Sequence, residues 1–161
     1  MKIRNKILLL AFFALMSCPS ESEMWERTYQ VRNDTVYVVT IRAFESFEGI
    51  GFFEDVSLSN NEIYAGNKAF GSNFSILNDS NNVIPASSFG RSRFIVVFDD
   101  ERFMIHSLNL DENGNTVFSE PINRNLLRGG SYTHIGNDFF EFVLTEEDYN
   151  NAIPCNGNCL D

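Results

Sequence analysis

Five consecutive apolar residues, Phe94-Ile95-Val96-Val97-Phe98, stand between Arg93 and the turn pair Asp99-Asp100. A run this short, rich in β-branched and aromatic residues, reads as a strand covered on both faces rather than as a buried helix. The rest of the chain agrees with it, because apolar residues return at every second position rather than every 3.6. Over 25–32, Trp25, Tyr29 and Val31 share one face, with Glu26, Thr28, Gln30 and Arg32 on the other. Arg27 breaks that alternation. Residues 36–44 read as one strand, in which Tyr37, Val39, Ile41 and Ala43 alternate with Val36, Val38, Thr40 and Arg42. Gly49 and Gly51 interrupt the chain before a third strand over 52–58, and 62–69 reads as a turn region. A fourth strand follows over 70–77.

The stretch 78–88 is polar and reads as a mobile connection. In 102–110, Phe103 and Ile105 face one way and Met104, His106, Leu108 and Leu110 the other. Asp111-Glu112-Asn113-Gly114-Asn115 is a hairpin loop, with Asn-Gly suited to positive φ, and 116–119 returns as a strand. One helical turn is expected over 121–127, with a break at Gly129-Gly130. The last strand is 139–144. Thr145-Glu146-Glu147-Asp148 is a capping box opening a short helix that Pro154 stops. Sixteen phenylalanines, much Asn and little Ala suit strands and turns over long helices. The expected fold is therefore all-β and mainly antiparallel: a small β-sandwich or barrel of seven or eight strands with a short C-terminal helix.

The N-terminus addresses location instead of fold. Lys2, Arg4 and Lys6 precede an apolar run over 7–16, and Leu15-Met16-Ser17-Cys18 closes it. A basic n-region, a short apolar h-region and a small residue before the cut make a secretory signal peptide. A helix needs about 20 apolar residues to span a bilayer, so this run is too short to serve as a retained span. Leu-x-Ser-Cys resembles the lipobox of bacterial lipoproteins, in which Cys18 would be acylated and become the new N-terminus. The plainer alternative is an ordinary cleaved signal with Cys18 an early cysteine of a secreted protein. The domain plan is a signal peptide over 1–17, an acidic tether over 18–24, a β-sandwich over 25–153 and a C-terminal tail over 154–161. The mature part has nine basic and 22 acidic residues, a net charge of −13. Such a chain is repelled by phosphate backbones, which argues against a nucleic-acid partner.

Three stretches taken together resemble small lipoproteins of the Bacteroidota type, a group largely without assigned activities. They are Arg32-Asn33-Asp34-Thr35-Val36-Tyr37-Val38 near the start, Ile95 to Asp100 in the middle, and Thr145 to Ala152 at the end. The resemblance implies an envelope location, at the outer membrane on its periplasmic face or at the cell surface, and a β-sandwich. It implies no activity and no catalytic residue.

Candidate sites follow from residue type and spacing. Cys155 and Cys159, around Asn156-Gly157-Asn158, suit a disulfide in an oxidising compartment. With Cys18 lipidated, the three cysteines are then accounted for. Asp111, Asn113 and Asn115 match the first three ligand positions of a calcium loop, but Thr116 and Ile122 occupy positions that need Gly and Glu. Phe47, Phe52, Phe53 and Tyr64 are candidates for an aromatic glycan-binding face, with core or loop packing the simpler reading. Thr35, in Asp34-Thr35-Val36, resembles an O-glycosylation acceptor of the same bacterial group. His106 and His134 lack metal-binding spacing, and no nucleophile or phosphate-loop motif is present. The leading expectation is a lipid-anchored binding or scaffold module without enzymatic activity or cofactor. A surface carbohydrate- or calcium-assisted recognition domain is the second expectation, and an envelope hydrolase the third.

Overall fold

The computed structural model describes residues 24–44, 53–67, 69–72 and 84–159. Two sheets face each other across a single apolar core, so the expected all-β sandwich is the observed architecture. The first sheet is built from β1 (Met24–Asn33), β4 (Ile63–Ala65), β5 (Ala69–Ser72), β9 (Thr133–Gly136) and β10 (Phe139–Leu144). The second holds β2 (Val39–Phe44), β3 (Phe53–Leu58), β6 (Arg93–Phe98), β7 (Arg102–Leu110), β8 (Thr116–Phe118) and β11 (Ile153–Pro154). Two short helices complete the described chain, α1 (Ile84–Phe89) and α2 (Glu146–Asn151), with 3₁₀ turns at Ile122–Arg124 and Gly129–Ser131.

Register shows how the period-two pattern becomes a core. Across the second sheet, Val39 pairs with Phe98 and Leu58, Ile41 with Val96 and Val56, and Phe94 with His106. All of these point inward. From the first sheet, Tyr29 and Val31 of β1 meet Phe140 and Phe142 of β10 in the only parallel pairing among the described strands. Each fully buried Val, Leu or Phe contributes about 1.5–3 kcal/mol over its exposed state. Val96 and Val97 are both buried, so β6 is covered on its two faces as its apolar run requires. The Asp99-Asp100 turn has positive φ at both residues, which matches the right-handed twist of the strands it joins.

The structure departs from the sequence reading in four places. Strand β2 starts at Val39, not at 36, because Asn33 turns residues 34–38 out of the sheet. The region 62–69 contains β4, whose Tyr64 pairs with Val31. The polar stretch 78–88 ends in helix α1, and Gly66 lies so close to it that an added Cβ would meet Ser88 Oγ at 2.7 Å. Eleven strand segments lie among the described residues, several of only two to four residues.

Candidate functional site

The residues singled out from sequence do not converge on one site. Cys18, the tether up to residue 23, Phe47 and Phe52 lie outside the described residues, and Met24, expected in the tether, opens β1. Phe53 opens β3, opposite Phe44. Tyr64 is half-buried and stacks on Phe89 at 5.3 Å against the core, which is the packing reading and not a solvent-facing glycan platform. Thr35 is fully buried. Its hydroxyl donates to Asn33 Oδ1 at 2.8 Å and accepts the Tyr37 N–H at 3.2 Å, so no glycan can be attached in this fold. Asp111 accepts the N–H groups of Asn113 and Asn115 and the Asn115 side-chain amide. Those donors hold its carboxyl below the usual range, and they tie to the hairpin the oxygens a calcium ion would need. Among the described residues, no group of three His, Cys, Asp or Glu side chains is placed to hold a metal ion. Cys155 and Cys159 are disulfide-bonded, with Cα atoms 5.2 Å apart. The bridge follows β11 and the Cys155 N–H donation to Glu101 O, which fasten the tail along β7.

The two histidines are far apart in character. His134 is exposed on β9, its ring 5.0 Å from Phe140. His106 is fully buried on the inner face of β7. Its Nδ1 accepts the Leu126 N–H at 3.4 Å, and its Nε2 has no partner among the described residues. Burial lowers its pKa from 6.5 to about 4, with nearby Asp148 opposing and Arg124 adding to the effect. Folded His106 therefore resists a proton that the unfolded chain accepts, and stability is lost as pH falls from about 6.5 to about 4. The shift corresponds to a total loss of about 3 kcal/mol. Urea unfolding at pH 7, 5.5 and 4 should show that loss, and His106→Gln should flatten it. An identical profile in the variant would refute the assignment.

A different region assembles side chains from many elements. Four chain segments meet at the end of the sandwich where β1 finishes: the turn over 34–38, the β3–β4 turn, the Asp99-Asp100 turn and α2. Asn33, fully buried at the last position of β1, organises the first. Its Nδ2 donates to Tyr37 O at 2.8 Å and to Leu58 O at 2.9 Å, while its Oδ1 accepts from Thr35 N and Oγ1. Further clamps come from outside the turn. Glu146 accepts the Val36 N–H at 3.0 Å, Asp99 accepts the Val38 N–H at 2.8 Å, and Asn60 Nδ2 donates to Thr35 O. Tyr37 turns inward and stacks on Tyr149 at 3.8 Å. Tyr149 donates its hydroxyl to Glu101 and lies under the Arg102 guanidinium. The Glu101 carboxylate, with burial and Tyr37 adding, pushes Tyr149 up to about 12.

This scaffold presents two apolar side chains to solvent. Val36 is 80% exposed and Val38 48% exposed, the former the largest value among the exposed hydrophobic side chains of the described residues. The strand expected over 36–44 included both, and the Asn33 side chain, bonded to Thr35 N and Tyr37 O, takes them out of it. No protein-family model matches the chain, and no curated protein matches it.

Proposed function

We propose that this is a lipid-anchored protein of the bacterial cell envelope that works as a binding or scaffold module rather than as an enzyme. The observation that carries the reading is the order of features at the N-terminus: basic residues, a short apolar run, Leu15-Met16-Ser17-Cys18, then a sandwich whose first strand begins at Met24. Acylation of Cys18 would supply two or more chains, enough for stable membrane attachment. The resemblance to small Bacteroidota-type lipoproteins points the same way and suggests the outer membrane. The architecture suits display. β1 has ten residues, about 30 Å of extended chain, and runs from the tether side to the opposite end of the sandwich. The buried placement of His106 makes it a core residue, which favours a module over a hydrolase. The carbohydrate- or calcium-assisted reading draws no support from Tyr64 or Asp111, both engaged within the fold.

The test is membrane fractionation of cells expressing the full chain, with labelling by an alkyne palmitate analogue. The wild type should enter the membrane fraction and carry label. Cys18→Ser should abolish the label and move the chain to the soluble fraction. A chain that stays unlabelled, or that leaves the membrane equally with and without Cys18, would overturn the anchor.

A further inference from the structure

We infer that the Val36 and Val38 end of the sandwich docks a protein segment with an aliphatic centre flanked by lysine or arginine. The inference names a partner class for the binding module proposed above and rests on that reading. The two valines carry the site. Their turn is held in place from four segments, by Asn33, Asn60, Asp99 and Glu146, and nearly all its backbone polar groups are bonded. An ordered backbone that sets two apolar side chains in water, on a chain with a full core beneath, gains nothing for stability from their exposure.

Charge selects the occupant. Glu146 and Asp99 hold the valine turn, Asp34 precedes it, and Asp100, Glu101 and Glu147 follow in the same clamping segments; all six are exposed. Among the described residues, the guanidiniums at this end are engaged, Arg124 with Asp148 of α2. Arg32 pairs with Asp34 and Glu141, and Arg102 donates to Asn150 O and Ala152 O. The carboxylates of Asp100 and Glu147 make no hydrogen bond or ion pair among the described residues. A cationic rim on the partner would meet these acids while its aliphatic centre covers the valines. A second copy of this chain does not fit, since like carboxylates would face each other. An anionic lipid surface is repelled for the same reason, and β1 carries the valines away from the Met24 end, where the tether joins.

The probe is a synthetic peptide of Leu-Val-Leu flanked by two lysines on each side, titrated by fluorescence anisotropy against the full chain in neutral detergent. Binding should be saturable, and raising salt from about 50 to about 300 mM should weaken it several-fold, because the rim contacts are screened. Val36→Ser with Val38→Ser should weaken it tenfold or more, and these exposed positions leave the core untouched. A glutamate-flanked version of the peptide should not bind. The inference is overturned if the lysine peptide fails to bind, if the double variant binds it equally, or if the glutamate peptide binds as well. It is also overturned if the double variant loses affinity for phosphatidylcholine vesicles while keeping its affinity for the peptide, which would make the valines a membrane-dipping tip. Each of these outcomes leaves the fractionation result for Cys18 unaltered, so failure of the docking surface and failure of the anchor are separable.

Discussion

Asp148→Ala should lower the stability of the folded chain by about 3–5 kcal/mol, the range for a buried ion pair that loses one partner. Asp148 is 4% exposed and does two jobs with one carboxylate. It accepts the N–H and hydroxyl of Thr145 at 2.8 and 3.0 Å, closing the first turn of α2. It also receives both Nε and Nη2 of Arg124, whose guanidinium lies 4.2 Å over the Phe142 ring and donates onward to Val143 O. Removing the carboxylate strands a half-covered cation against the core and uncaps α2, the helix that supplies Tyr149 and Glu146 to the valine end. For a domain of this size the expected fall in Tm is about 10 °C or more. Chemical unfolding of Asp148→Ala, Arg124→Met and the double variant measures the coupling directly. The double variant should be less damaged than Asp148→Ala alone, because no unpaired cation remains. A loss below about 1 kcal/mol for Asp148→Ala would place the pair in the weak class of surface salt bridges.

Asn33→Ala should cost a comparable amount, at least about 3 kcal/mol, since each buried polar group left without a partner costs about 1–3 kcal/mol. Four groups depend on this one amide: the carbonyls of Tyr37 and Leu58, and the N–H and hydroxyl of Thr35. Asn33 ends β1 in the first sheet, and Leu58 ends β3 in the second, so the side chain ties the two layers together. Asn33→Asp separates the two halves of the amide. It keeps the acceptor for Thr35 but turns the donor into an oxygen aimed at two carbonyls, so it should be nearly as damaging at pH 7 and should recover on acidification. Thermal melts of the two variants at pH 7 and pH 5 read this out. Equal stability of Asn33→Ala and wild type would show that water replaces the amide and that the turn is not built as described.

Particular residues show which features were legible in the sequence. The alternation of Val39, Ile41 and Ala43, and the apolar run ending at Phe98, specify strands because a sheet has a two-residue period and one face must be buried. The capping box at Thr145 was legible for a similar reason, since its partners are three residues apart. Asp148 meeting Arg124 was not, because that pair is 24 residues apart and depends on how β10 packs. Val36 and Val38 alternate as strand residues do. Only the side chain of Asn33, which replaces ladder hydrogen bonds with its own, excludes them from the sheet. The Asp111, Asn113 and Asn115 spacing is shared by cation loops and tight hairpins, since both turn acceptors inward, and only the positions of the loop's own N–H groups decide between them. Helix α1 is six residues with Pro85 near its start, too short for any helical period to register.

The proposed anchor tethers the domain to a membrane through Cys18. The intact mass of the membrane-extracted protein, with and without reduction before alkylation, tests it most directly. A mature chain beginning at Cys18, carrying acyl mass and gaining two alkyl groups only after reduction, is the expected result, and it would establish the anchor and the Cys155–Cys159 bridge together. A chain without acyl mass, whether cut elsewhere or still carrying residues 1–17, would rule out the lipid anchor.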